Sequence, residues 1–165
     1  KYSKTMGATV SGPDGNSLEL HMGSYGIGVS RLVGAIIEAS HDDKGIIWPE
    51  AISPFDIAII NLKPGNETVD NMSETLYQTG LLNKHDCLYD DSDESAGTKL
   101  AIMDLIGIPW QLVVGPRGLK QNIIELKHRK SGRVLEISPE MAIEFISKQG
   151  NFIMPDTSFL RGTKI

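Results

Sequence analysis

The chain has 165 residues, 40% hydrophobic and 22% charged, and a net charge of −5. That length suits one domain and part of a second, and no apolar run approaches the ~18 residues needed to cross a bilayer. The single cysteine, Cys87, excludes an internal disulfide and a multi-cysteine zinc site. With no signal-peptide pattern, cytoplasm is the expected compartment and no membrane partner is expected.

The chain opens without an initiator methionine on a strand-like segment, and is read as a fragment. Residues 7–11 and 17–22 alternate around Gly12-Pro13-Asp14-Gly15-Asn16, which predicts a hairpin. A glycine-rich stretch, Met22-Gly23-Ser24-Tyr25-Gly26-Ile27-Gly28, then runs into a helix over 29–40. Val29, Leu32, Val33, Ile36 and Ile37 give that helix one apolar face. Gly26 and Gly28 permit close backbone approach, the helix start offers free N–H donors, and Arg31 adds a permanent forked cation. Together they suit an anion such as a nucleotide triphosphate. A tight turn with a solvated Arg31 remains equally open. A dinucleotide fingerprint is excluded, because Arg31 stands where its third glycine belongs.

His41-Asp42-Asp43-Lys44-Gly45 reads as a polar loop, since no second ligand cluster completes a metal site. Ile46 to Pro54 is a proline-punctuated connector, with a domain boundary expected near Ser53-Pro54. Beyond it the pattern changes. Phe55 to Leu62 is the apolar run of a buried parallel strand. Pro64-Gly65-Asn66 reads as a turn whose Asn66 can cap a helix over 67–82, with Val69, Met72 and Leu76 on one face. Cys87 to Tyr89 is a short strand, and the acidic turn 90–94 leads to Ser95, a cap for a helix running to Ile106 and stopped by Gly107 and Pro109. Trp110 to Val114 is a second buried strand. Residues 123–128 and 134–137 form a hairpin, and Ser138-Pro139 starts a last helix stopped by Gly150. Ala142, Phe145 and Ile146 are its inward residues. This order predicts an α/β fold with a mixed five-stranded sheet flanked by helices, its first three strands parallel. Residues 151–165 show no apolar period and read as a docked tail or a disordered end.

Charge is uneven. Residues 115–134 carry Arg117, Lys120, Lys127, Arg129, Lys130 and Arg133 against Glu125 alone. A basic stripe on an acidic chain suits contact with phosphate, and taken by itself a solvated hairpin is the better account of it.

Gly26-Ile27-Gly28-Val29-Ser30-Arg31 resembles motif 3 of the class II aminoacyl-tRNA synthetases. Met22 to Val33, Gly45-Ile46-Ile47-Trp48-Pro49, Ser53-Pro54-Phe55, Gly107-Ile108-Pro109 and Val113-Val114-Gly115-Pro116-Arg117-Gly118-Leu119 are similar to the bacterial prolyl-tRNA synthetases. The resemblance covers residues 1–149 and implies four segments. Residues 1–49 would end the catalytic domain, 50–54 would be a linker, 55–150 the anticodon-binding domain and 151–165 a tail. It implies a proline–tRNA ligase activity for the parent protein, with ATP, magnesium, proline and the proline tRNA as ligands and a homodimer as the assembly. Arg31 would be the catalytic arginine on the ATP γ-phosphate, with Gly26 and Gly28 letting the nucleotide lie close. Gly23, Ser24 and Gly26 would border the proline pocket. Arg117, Glu125, Lys127, Asp90 and Asp91 would meet the anticodon. No residue is expected to hold a metal.

Some positions depart from the family. Ser24 stands where bacterial relatives often have cysteine, Ser92 and Ser95 where they often have arginine, and Gly118 where they often have an acid. The upstream motifs 1 and 2 are not in this sequence, so the fragment alone is expected to be inactive. A non-catalytic binding module of the same fold is the second reading, and the motif 3 arginine argues against it. A small-molecule α/β enzyme is the third. The four histidines lack a convincing partner in sequence, which leaves it unsupported.

Overall fold

The apolar run after the connector becomes the central strand of a five-stranded sheet. The computed structural model describes residues 2–148; the expected stop at Gly150 and the tail 151–165 lie outside them. Two compact units divide after Gly34.

The first unit begins with a helical turn, α1 (Tyr2–Thr5), where a strand was expected. Met6 N–H closes it on the Tyr2 carbonyl at 2.9 Å. The hairpin is as predicted, with β1 (Thr9–Ser11) antiparallel to β2 (Ser17–Glu19). Asp14 holds its turn by accepting from Asn16 N–H at 3.1 Å and Asn16 Nδ2 at 2.6 Å. Helix α2 (Val29–Ala39) runs across the division between the units. Its apolar face is present but uncovered: Val29 is 78% exposed, while Ile36 and Ile37 are half-buried.

The second unit contains the short hairpin β3 (His41–Asp42) and β4 (Gly45–Ile46), then a 3-10 turn, Glu50–Ile52. There follow β5 (Ile57–Asn61), α3 (Glu67–Leu82), β6 (Cys87–Asp90), α4 (Ala96–Ile106) and β7 (Trp110–Val114). The chain ends in α5 (Pro116–Lys120), β8 (Ile124–His128), β9 (Val134–Ile137) and α6 (Pro139–Ser147). The sheet order is β6-β5-β7-β8-β9. Strand β5 pairs parallel with β6 and β7, and the β7–β8 and β8–β9 pairs are antiparallel.

Both faces of β5 are covered, which explains its apolar run Ile57–Ile60. Ile57 and Ile59 join Val69, Leu76, Leu112, Phe145 and Ile146 on the side of α3 and α6. Ala58 and Ile60 join Met103, Ile108 and Val113 on the side of α4. The helix starts are capped as the sequence indicates. Asn66, Ser95 and Ser138 accept from the N–H groups of Val69, Thr98 and Met141 at 3.2, 3.2 and 3.3 Å. Such caps stabilise a helix by about 1 kcal/mol each.

The hairpin β3–β4 is fastened to the α/β unit. Arg129 Nη1 and Nη2 donate to both oxygens of Asp42 at 2.8 and 2.6 Å. Trp48 Nε1 donates to the Ile106 carbonyl at 2.9 Å. Gly107 ends α4 at φ 83°, and a Cβ there would lie 2.2 Å from the Ile46 carbonyl oxygen. Only glycine takes that backbone and that approach without strain. His41-Asp42-Asp43-Lys44 is therefore a short hairpin with a structural role, where a loop was expected.

Candidate nucleic-acid interface

From β5 the chain passes to β6 on one side, and after α4 it returns to β7 on the other. Strand order thus reverses between β5 and β7. In open α/β sheets ligands gather beyond the carboxyl ends of the strands at such a point. A cleft of about 350 Å3 opens there, lined by Leu62, Ala96, Val113, Arg117, Ile123 and Glu125 among others.

Each polar wall of that cleft has a local cause. Pro116 opens α5 with no side-chain cap, and the short helix carries Arg117 outward into solvent. On β8, Ile124 and Leu126 turn into the core, so alternation puts Glu125 and Lys127 on the opposite face. Glu125 is exposed and lies between Val113 on β7 and Glu136 on β9. Two glutamates directly across neighbouring strands repel each other. Glu125 therefore favours an incoming hydrogen-bond donor or a cation. Arg117 and Glu125 line the same cleft, offering it a donor fork and an acceptor pair.

The other expected anticodon residues are placed differently. Lys127 does not line the cleft; its Nζ is hydrogen-bonded to the carboxylate of Asp104 on α4. Asp90 has a side chain only 9% exposed. Its Oδ1 accepts from Ser92 N–H at 3.0 Å and Ser92 Oγ at 2.6 Å, and lies 3.4 Å from Lys99 Nζ. Its lone pairs are thus largely engaged within the fold. Asp91 is exposed in the loop after β6.

The basic stripe is not one surface. Arg129 is bound to Asp42 and Lys127 to Asp104. Arg117 and Lys120 are exposed on α5, and Lys130 and Arg133 are exposed at the β8–β9 turn. The Arg129 guanidinium holds the Asp42 carboxyl well below the usual carboxylate range by hydrogen bonding.

In the first unit, Gly23, Ser24, Gly26, Gly28 and Arg31 follow one another along an exposed stretch. Arg31 stands in the first turn of α2, its N–H donating to the Gly28 carbonyl at 3.0 Å. The space where a Gly26 Cβ would sit is open, whereas at Gly23 a Cβ would meet the Tyr25 ring at 2.8 Å.

Sequence reasoning missed two groups at the sheet's carboxyl edge. Lys99 and Asn61 are both wholly buried. Nothing in the pattern Thr98-Lys99-Leu100 separates a buried lysine from a solvated one. Asn61 ends an apolar run, a weak signal for a polar group turned inward.

The anticodon binding domain family matches residues 56–149. A proline–tRNA ligase of Parvibaculum lavamentivorans is 58% identical over 147 residues, covering 89% of this chain and 34% of that protein. One from Caulobacter vibrioides is 51% identical over 148 residues, covering 90% of this chain and 33% of that protein. The chain therefore spans about a third of the length of the curated relatives it matches. Among solved structures, the Giardia lamblia prolyl-tRNA synthetase in complex with prolyl-adenylate matches with a TM-score of 0.60 at 20% identity. That match covers 89% of this chain and 31% of that one, and it shows a shared fold. The switch-point cleft, the mixed sheet and these matches agree: the chain belongs to the anticodon binding domain family.

Proposed function

We propose that this chain is the C-terminal part of a bacterial-type prolyl-tRNA synthetase and that residues 55–150 recognise the anticodon of the proline tRNA. Arg117 and Glu125 in one cleft carry this reading. Proline anticodons end in two guanines. Guanine presents acceptors on one edge, which arginine meets in a bidentate way. Its Watson–Crick edge presents donors, which a carboxylate meets, and unpaired loop bases expose both edges. Of the five residues expected at the anticodon, Arg117 and Glu125 are the pair free to do this. Lys127 and Asp90 serve in support, and Asp91 is a peripheral contact.

The whole enzyme would activate proline with ATP to prolyl-adenylate and transfer the prolyl group to the tRNA. Residues 1–49 would complete its catalytic domain, followed by the linker 50–54, and the assembly would be a homodimer in the cytoplasm. Arg31 would grip the γ-phosphate, being charged at every relevant pH and forked to match phosphate oxygens. The open space at Gly26 would let the nucleotide lie against the backbone. Gly23 and Ser24 would border the proline. Catalysis there is positional and electrostatic. Among the described residues no group of three or more His, Cys, Asp or Glu side chains is placed to hold a metal. Magnesium would accompany the phosphates. The exposed Arg31 disfavours a purely non-catalytic module.

The test is binding of the chain to a proline tRNA transcript at ~150 mM salt, beside a transcript with both anticodon guanines replaced. Binding lost on replacement supports the reading. Equal binding to both refutes it and leaves a basic surface without base recognition.

A further inference from the structure

We propose that Lys99 is a positioning residue of the cleft, tying the ends of β5 and β6 together beside Leu62 and Ala96, which line it, and so setting its selectivity for guanine. This rests on the anticodon reading above.

Lys99 lies in the first turn of α4, its N–H donating to the Ser95 carbonyl at 3.0 Å. Its side chain is fully buried and runs inward under the carboxyl edge of the sheet. There Nζ donates to the Asn61 carbonyl, the last of β5, at 2.7 Å. It also lies 3.4 Å from both the carbonyl and the Oδ1 of Asp90, the last residue of β6. The β5–β6 ladder stops at the pair Ile60–Asp90. The Asn61 carbonyl thus falls just past the ladder, and Lys99 supplies its donor.

Asn61 extends the tie. Its Nδ2 donates to Asp70 Oδ1 at 2.7 Å and to Tyr89 Oη at 3.3 Å, and its Oδ1 accepts from Lys63 N–H at 2.9 Å. Asp70 Oδ2 in turn accepts from Gly65 N–H at 3.1 Å. The loop after β5 and the loop after β6 are therefore held by one network centred on the buried Lys99 and Asn61. Leu62 follows Asn61 directly and lines the cleft, as does Ala96 at the head of α4. An apolar side chain would fill the same space without the cost of burying a charge. What a lysine adds is direction: three donors aimed at fixed acceptors on two strands.

Lys99 reaches no solvent, so it touches neither base nor phosphate. That separates it from the cleft residues in an experiment. Binding of an RNA hairpin carrying the proline anticodon is measured for the unchanged chain, Lys99→Met and Asp90→Asn. Parallel hairpins carry inosine in place of each guanine, and salt is varied. For Lys99→Met we expect circular dichroism like that of the unchanged chain and affinity for the guanine hairpin lower by about tenfold. The guanine-over-inosine preference falls, and the slope of log Kd against log salt is unchanged, because no phosphate contact is lost. Asp90→Asn shifts affinity and preference in the same direction by less. A folded Lys99→Met with unchanged affinity and preference overturns the proposal. If Lys99→Met does not fold, a folded Asp90→Asn with unchanged preference overturns it. If the unchanged chain itself shows no guanine preference, the anticodon reading fails instead.

Discussion

Gly80 in α3 is the position where a single methyl group tests the packing of helix on sheet. A Cβ there would lie 2.3 Å from Cys87 Sγ on β6, but 3.7 Å from Ile146 Cγ2 and 3.8 Å from Cys87 Cβ. Ordinary contact is about 3.5–4.0 Å, so the conflict is with the sulfur alone and amounts to more than an ångström. Overpacking of this kind costs about 1–3 kcal/mol. Replacing glycine by alanine inside a helix returns up to about 1 kcal/mol. Gly80→Ala is therefore expected to lose about 1–2 kcal/mol, roughly 4 °C of Tm per kcal/mol for a domain of this size. Cys87→Ala alone leaves a small void and loses about 1 kcal/mol. In the double variant the new methyl group meets Ile146 Cγ2 at 3.7 Å and the Cβ of position 87 at 3.8 Å, both ordinary distances. Its stability should match Cys87→Ala or exceed it, which gives a coupling of about 2 kcal/mol. Urea unfolding followed by the fluorescence of Trp110, 2% exposed in the core, measures all four forms. Gly80→Ala as stable as the unchanged chain, or a cycle without coupling, would show that the α3–β6 contact yields freely and that the packing argument is wrong.

Arg117→Ala should weaken binding of the guanine-containing anticodon hairpin by about 10- to 100-fold, the worth of a charge-assisted hydrogen bond of about 1.5–3 kcal/mol. Unchanged affinity at physiological salt refutes its role. The pair of Asp42 with Arg129 predicts a particular acid response. The folded carboxyl is held down by the guanidinium, so its stabilisation is complete above the unfolded pKa of about 3.9 and fades as pH falls below it. The stability gap between the unchanged chain and Asp42→Asn, read by urea titration, should be flat from pH 7 to 5 and narrow towards pH 2. A gap independent of pH counts against the ion pair. Burial, with the Asp56 and Asp86 carboxylates adding to it, pushes the Cys87 thiol up to about 11. Cys87 should therefore resist alkylation at pH 8 until the chain unfolds. Modification at the rate of a free thiol in the native protein would contradict its burial.

The sequence by itself determined the elements that depend on neighbours in the chain. The nearly continuous apolar run from Phe55 to Leu62 reads as a strand covered on both sides, and β5 is one. Asn66, Ser95 and Ser138 announced their helices because a cap acts within three residues. Gly107 and Pro109 announced the end of α4 for the same local reason. Arg117 stood out because the short motif Val113 to Leu119 carries it, and Glu125 only through the family resemblance on the strand that follows.

What the tertiary structure decided lies in pairs distant along the chain. Asp42 meets Arg129 across 87 positions, and Lys99 meets the Asn61 carbonyl across 38. These pairings follow from the reversal of strand order between β5 and β7 and from the end of the sheet at which each hairpin docks. No periodicity encodes either. The same geometry divided the expected anticodon residues. Two acidic side chains and two basic ones looked alike in sequence. Glu125 and Arg117 line the cleft, while Asp90 and Lys127 are bound to charges of the opposite sign beneath and beside it. Whether a charged side chain serves a ligand or the fold depends on which other charges the topology brings to it, and that is a property of the folded chain alone.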